Sequence, residues 1–194
     1  MTKTRLEAFS DAVIAIIMTI MVLELPVPGG HDWNAIVSVW PKLLVYVISF
    51  VNLGIYWGNH HHLVHTIHTV KAGMIWANIH LLFWLSLLPW ATAWAGESHF
   101  EKIPVAFYAI LADLSGIAYY IFLLVIKACD PHNEATQLIL KKQQRKGTIS
   151  CILYTISIPL AFVNTIFSGA LIIIVAVWWM IPDRNIERKI GNGQ

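Results

Sequence analysis

The chain has 194 residues, of which 57% are hydrophobic and only 12% are charged, and its formal net charge is +2. Soluble domains carry about 25% charged residues, so this composition excludes a disordered chain, a nucleic-acid-binding module and an ordinary soluble enzyme. The mean hydropathy of +0.64 indicates segments embedded in a lipid bilayer. The length predicts one compact membrane domain over residues 1–194.

Apolar stretches separated by short polar segments predict an all-α integral membrane protein with six spanning helices. The stretches are 6–25, 37–58, 72–95, 103–128 and a longer one, 148–181, that the fifth and sixth helices share. A spanning helix needs about 20 apolar residues, so two helices in the last stretch are short, and one long tilted helix is the alternative. A turn at 164–169 favours two helices. The first stretch is predicted to be a retained helix and not a signal peptide, because Asp11 and Glu24 interrupt it.

The polar segments predict the orientation. The connection at about 129–147 is predicted to be a cytoplasmic loop with a short helix at 133–146, and the polar tail at 183–194 is predicted to fray. With both termini on one side, that side holds eleven basic residues against two, Lys42 and Lys102, on the other. The eleven are Lys3, Arg5, Lys71, Lys127, Lys141, Lys142, Arg145, Lys146, Arg184, Arg188 and Lys189. This bias predicts a multi-pass protein of the inner (plasma) membrane with cytoplasmic termini.

Two carboxylates fall inside predicted spans. Asp11 lies in the first span, where an ionisable side chain is costly and therefore indicates a functional site; the alternative is that it reaches the cytoplasmic interface. His60 and Asn78 lie near the same ends of neighbouring spans, and we expect them to satisfy the Asp11 carboxylate. Asp113, in the fourth span, is the second such carboxylate.

One face of the first span carries branched aliphatic side chains and one hydroxyl. Ile16, Thr19, Ile20 and Leu23 follow the i, i+3, i+4, i+7 spacing of a helical face. Such a face could line a pore that closes by excluding water, or it could pack on a neighbouring helix. The residues alone leave both interpretations open.

A histidine cluster ends the second span. Its members are His60, His61, His62, His65 and His68. His61 and His65 have the spacing for a shared divalent metal, but no cysteine or carboxylate close in sequence completes a ligand shell, so no metal or cofactor is predicted. Two alternatives remain open: a histidine-based membrane enzyme using His61 and His80, and a proton-coupled transporter using Asp11, Asp113 and His60.

The first span also carries a family resemblance. Residues 5–16, RLEAFSDAVIAI, match the R-x-x-x-F-S-D-x-x-x-A-I signature of helix one in the transmembrane-protein-175 family of potassium channels. Residues 57–61, WGNHH, resemble the family's W-x-x-H-H ending of helix two, and Asn78 with the following 87–89, LLP, resembles its helix three. The resemblance implies a homotetrameric channel that prefers potassium to sodium without a TVGYG filter, with four copies of helix one around the pore. One six-helix unit is typical of prokaryotic members.

The resemblance also implies roles for individual residues. Ile16 would form the narrowest hydrophobic ring, followed by Ile20 and Leu23, and Thr19 would contribute to cation preference. The helix-one motif would tie helices together behind the pore through Arg5, Phe9, Ser10, Asp11, Trp57, His60 and Asn78. Glu24, just beyond Leu23, is a candidate for concentrating cations at the outer mouth. The implied partners are further copies of the chain, membrane lipid and monovalent cations, with potassium as the permeant ion and with no nucleic acid.

Overall fold

The computed structural model describes residues 1–129 and 134–180, except for the side chains at 134–136 and 139. Those ranges contain eight α-helices and no strand. The helices are α1 (Lys3–Leu23), α2 (Trp33–Ser38), α3 (Trp40–His65), α4 (Ala72–Ser86), α5 (Leu88–Glu97), α6 (Lys102–Cys129), α7 (Glu134–Val163) and α8 (Thr165–Met180). The all-α architecture expected from the sequence is confirmed.

Five helical segments are long and apolar enough to cross a membrane. They are Lys3–Leu23, Trp40–His65, Ala72–Glu97, Lys102–Cys129 and Leu140–Val163, and the shorter apolar helix α8 follows them. At 16 residues, α8 is about 24 Å long, less than the roughly 30 Å thickness of the hydrocarbon core. The sixth span is therefore a short one, as the shared stretch at 148–181 predicted.

The second span starts later than expected because a separate short helix precedes it. The carboxylate of Asp32 caps α2 by accepting a hydrogen bond from the Ala35 N–H at 3.0 Å. The long helix α3 then begins at Trp40 instead of residue 37, with Pro41 in its first turn, where a missing backbone N–H costs little.

The third span is interrupted near its middle. Helix α4 ends at Ser86 and α5 begins at Leu88, with Pro89 in the first turn of α5. Proline has no N–H to donate to the carbonyl four residues earlier, so the helical ladder breaks here while the chain continues in the same direction.

The prediction of a separate short helix at 133–146 is wrong, because from Glu134 onward the chain is continuous with the fifth span in α7. Its polar side chains find partners on α6 and not only in water. Gln144 accepts a hydrogen bond from Lys127 Nζ at 2.6 Å and donates one to the Tyr120 hydroxyl at 3.2 Å. A Cβ on Gly147 would lie 3.0 Å from the Tyr120 ring, so the glycine permits the close approach of the two helices.

The last stretch divides at one residue. The Asn164 side chain accepts hydrogen bonds from the N–H groups of Ile166 at 2.8 Å and Phe167 at 3.4 Å, which caps the start of α8. Two helices, and not one long tilted helix, occupy the stretch.

Most of the basic residues gather at one end of the bundle. Lys3 Nζ donates to the His65 carbonyl at 2.8 Å, Lys71 Nζ donates to the Cys129 carbonyl at 3.3 Å, and Lys146 lies over the Trp179 ring. We call this end, which joins the starts of α1, α4 and α7 to the ends of α3, α6 and α8, the basic end. Lys42 pairs with Glu97 at 3.1 Å at the opposite end. Arg184, Arg188, Lys189 and the tail at 183–194 lie outside the described residues.

Helix α6 is the centre of the packing, since it contacts α4, α5, α7 and α8. Helix α1 packs against α3, α4 and α5, whereas α7 packs mainly against α6 and α8. Helices α1 and α7 therefore lie on different sides of the bundle.

Candidate functional site on the first helix

Helix α1 has one face in the core and one face outside it. Its buried side chains are Leu6, Ser10, Ile14, Ile17 and Met21. The predicted stripe lies on the other face, where Ile16 is 56%, Ile20 42% and Leu23 80% exposed. Because the aliphatic stripe does not pack on its own chain, it is available to further copies, to lipid or to a pore.

The polar members of this face are also exposed. The Thr19 hydroxyl donates to the Ile16 carbonyl at 2.9 Å, so its proton points along the helix and its oxygen lone pairs remain free to accept. Glu24 is exposed at the end of α1, beside a groove that α1 forms with α5 and that includes Ser86 and Trp90. The stripe thus ends in a carboxylate at the end of the bundle opposite the basic end.

Behind the stripe, three fully buried polar side chains join α1, α3 and α4. Asn78 Oδ1 lies 2.7 Å from His60 Nε2, and Asn78 Nδ2 donates to Ser10 Oγ at 2.9 Å. Ser10 donates its own proton to the Leu6 carbonyl at 2.9 Å. Since the Asn78 oxygen can only accept, this network assigns the His60 proton to Nε2. The ring of His60 stacks on Phe122, with centroids 5.6 Å apart.

Asp11 belongs to a different pair. Its carboxylate accepts a hydrogen bond from Trp57 Nε1 at 3.0 Å. The expectation that His60 and Asn78 satisfy Asp11 is therefore wrong: His60 pairs with Asn78, and Asn78 binds Ser10. Ser10 and Asp11 are consecutive on α1, so their side chains point about 100° apart, and only one of them faces α4.

The structure does not bring all members of the helix-one motif together. Arg5 and Phe9 are exposed, and Phe9 is 53% accessible. The backbone N–H of Arg5 donates to the Thr2 hydroxyl at 3.3 Å, which caps the start of α1. Five motif residues therefore form two hydrogen-bonded groups within the chain, and these two residues face outward.

Sequence reasoning missed one contact at the basic end of α1. Glu7 Oε1 lies 2.7 Å from His61 Nδ1, and this contact joins the first turns of α1 to the last turns of α3. The acidic residue three positions before Ser10 and the second histidine of the cluster were the available signals. Among the described residues, no group of three or more His, Cys, Asp or Glu side chains is arranged to hold a metal ion.

Asp113 lies apart from both groups, between α6 and α7. Its Oδ2 accepts a hydrogen bond from the Thr155 hydroxyl at 2.8 Å, and its buried Oδ1 has no partner among the described residues. The three groups named for the transporter alternative thus belong to separate hydrogen-bonded pairs or networks: Asp11 with Trp57, His60 with Asn78, and Asp113 with Thr155.

A bundle of apolar helices with this arrangement defines a multi-pass membrane protein, and comparison with known proteins gives its family. The profile of the family described as endosomal/lysosomal potassium channel TMEM175 matches residues 5–89. The chain is 46% identical over 190 residues to a protein named a potassium channel from Chryseobacterium sp. (strain P1-3), and the match covers 98% of each chain. The chain belongs to the TMEM175 family, whose members are channels and not enzymes.

A further relative is similar over part of the chain, and the fold has a counterpart among solved structures. A protein named a potassium channel from Streptomyces collinus is 31% identical over 123 residues, which cover 59% of this chain and 60% of that protein. The fold matches the crystal structure of a lysosomal potassium-selective channel TMEM175 homolog from Chamaesiphon minutus, with a TM-score of 0.80 and 23% identity. That match covers 92% of this chain and 96% of the other.

Proposed function

We propose that the protein is a potassium channel in which α1 helices from four copies surround the ion path. The observation that carries the proposal is the exposed aliphatic face of α1. Relatives at 46% and 31% identity are named potassium channels, and this face occupies the helix whose motif defines the resemblance. We propose that the channel lies in the inner membrane with both termini in the cytoplasm, in keeping with the charge bias.

A pore along the exposed face would require further copies of the chain. A single helix cannot enclose an ion path, and cyclic symmetry presents the same face of every copy to one axis. The groove of about 440 Å³ between α1 and α5, lined by Val13, Ile20 and Trp90 among others, offers space for side chains of the next copy. A tetramer would therefore bury the stripe partly against its neighbours and partly against the pore.

The chemistry of the stripe suits a gate without a carbonyl filter. Rings of Ile16, Ile20 and Leu23 would exclude water from a narrow pore, and a modest widening would let water and ions enter. The Thr19 oxygen, with its proton already donated to Ile16, would offer one acceptor per copy to a partly dehydrated cation. A Glu24 ring at the mouth would raise the local cation concentration.

The buried network behind the stripe would fix the rotation of α1. Ser10 faces Asn78 and His60, while Ile16 points away from the bundle. Rotating α1 would expose or strand the buried hydrogen-bonding groups, which is unfavourable in a membrane interior. We therefore assign these residues to positioning and the stripe to ion contact.

Single-channel recording of the purified protein in planar bilayers tests the proposal. Ile16→Ala should widen the constriction and raise potassium conductance, and Ile16→Asn should hydrate it and raise the open probability. The matched control is Ile174→Ala on α8, because Ile174 has the same 56% exposure as Ile16 on a helix that does not pack against α1. Absence of potassium current, or equal currents in all four proteins, would contradict the pore assignment, and native mass spectrometry would report the number of copies.

One observation favours a proton-coupled transporter: the buried Asp113 Oδ1 has no partner among the described residues. Asp113 is 7% exposed and lies in the middle of α6, where an ionisable group is expensive. Reconstituted vesicles separate the two functions. A channel passes potassium down its own gradient without any pH gradient, whereas a coupled transporter requires proton movement and loses flux in Asp113→Asn.

A further inference from the structure

An exposed basic surface lies on α7, away from the candidate pore helix. It consists of Lys141, Lys142 and Arg145, all exposed, and Lys141 and Arg145 share one helical face at the i, i+4 spacing. Neither Lys141 nor Arg145 has a hydrogen-bond or ion-pair partner within the described part of the chain. From residue 135 to the end of α7 the sequence has no Asp or Glu, so no acidic residue lies within one turn of this charge on the same helix.

The basic surface lies at the membrane boundary. The candidate membrane span in α7 is Leu140–Val163, so all three basic residues fall within its first six positions. Lys146, one position further on, places its Nζ 4.7 Å from the ring centroid of Trp179 and 5.9 Å from that of Trp178. Tryptophan side chains prefer the interface between lipid and water, and the basic surface is therefore at the level of the lipid headgroups.

The same face of α7 continues as an apolar stripe. Ile152 and Ile156 follow Arg145 at helical spacings of seven and eleven residues, and they are 54% and 49% exposed. Along this face of α7, positive charge is followed by aliphatic surface, which matches a molecule with an anionic head and a hydrocarbon tail. A soluble anion would match only its first part.

The helix that carries the surface is held firmly to the bundle. Gln137 donates to the Lys127 carbonyl at 2.9 Å, and Gln144 joins Lys127 and Tyr120. The basic side chains are thus presented from a fixed backbone, so less conformational entropy is lost when a ligand binds than with a mobile loop.

We propose that Lys141, Lys142 and Arg145 bind the headgroup phosphate of an anionic phospholipid, whose acyl chain lies along Ile152 and Ile156. Basic residues near an anionic membrane surface each strengthen the interaction by about fivefold in affinity. The surface would therefore prefer phosphatidylglycerol to phosphatidylcholine, and the preference would fall as salt screens the charges.

Native mass spectrometry of the purified full chain tests this assignment. The protein is titrated with phosphatidylglycerol or phosphatidylcholine of identical acyl chains. Lys141→Gln/Arg145→Gln should lose most of the preference for phosphatidylglycerol, about fivefold for each charge removed. Lys141→Arg/Arg145→Lys keeps both charges and should retain it. Lys102→Gln is the control. It removes an exposed basic residue at the start of α6, at the end of the bundle opposite the basic surface, and should change the preference little.

Three outcomes would overturn the proposal. The first is an unchanged lipid preference in the Lys141→Gln/Arg145→Gln variant, with its copy number and its thermal unfolding the same as in the unmodified protein. The second is an equal loss in Lys102→Gln. The third is inorganic phosphate binding that depends on the same two residues without any preference between the two lipids, which would make the surface a site for soluble anions.

Discussion

Asn78 holds the buried network together, and replacing it gives the sharpest test of the fold around α1. Asn78→Leu keeps the branched shape and the number of heavy atoms but removes the acceptor for His60 and the donor for Ser10, both fully buried. The His60 N–H is then left unpaired, at a cost of about 1–3 kcal/mol. Ser10 keeps its bond to the Leu6 carbonyl. Losing the bond from Asn78 to Ser10 should therefore cost nearer the roughly 0.6 kcal/mol average for hydrogen bonds inside membrane proteins. The free energy of unfolding should fall by about 2–4 kcal/mol.

The assay is unfolding in mixed micelles with increasing dodecyl sulfate, followed by circular dichroism. A double-mutant cycle with His60→Leu separates the pair from general disruption, because removing both partners leaves no orphaned group between them. The double variant should be less destabilised than the sum of the single variants by more than about 0.5 kcal/mol, the usual error of additivity. Asn59→Leu is the control, since Asn59 donates only to the Ile55 carbonyl of its own helix. Additive effects, or a loss no larger than that of Asn59→Leu, would refute the reasoning.

Three other changes have definite expected outcomes. Glu24→Gln should lower single-channel conductance at low salt and leave it nearly unchanged at about 1 M salt, where the Debye length is about 3 Å; equal conductance at low salt would contradict the mouth assignment. Thr19→Val should lower the ratio of potassium to sodium permeability in bi-ionic recordings, whereas Thr19→Ser should keep it. Gly96→Ala should destabilise the protein by about 1–3 kcal/mol, because its Cβ would lie 2.8 Å from the backbone of Lys42. Gly58→Ala, with open space around it, should be neutral or stabilising in the same unfolding assay.

The helix plan could be read from the sequence because membrane spans depend on local composition. Runs of about 20 apolar residues have few alternatives in a bilayer, and the turn at Asn164 was visible as a polar interruption between apolar runs. The family could be read too, since the RLEAFSDAVIAI segment is contiguous in the chain. The pore role of Ile16 and the other stripe residues remains a prediction.

The basic segment of α7 shows where local composition is insufficient. Its lysines, glutamines and Gly147 are typical of a solvated connection, and the sequence predicted a separate helix there. Hydrogen bonds of Gln144 with Tyr120 and Lys127 on α6 hold this part of the helix against the bundle. Those partners lie more than fifteen residues away in the chain, so local pattern carries no information about them.

The pairing behind the stripe likewise depends on tertiary structure. The sequence by itself determined that Ser10, Asp11, His60 and Asn78 lie near one end of neighbouring helices. It could not determine which of two consecutive side chains faces α4, because a rotation of α1 by about 100° exchanges Ser10 for Asp11. Packing of Ile14, Ile17 and Met21 into the core, together with the buried hydrogen bonds of Ser10, sets that rotation. It directs Ser10 to Asn78, leaves Asp11 to Trp57 and turns the Ile16 face out of the bundle.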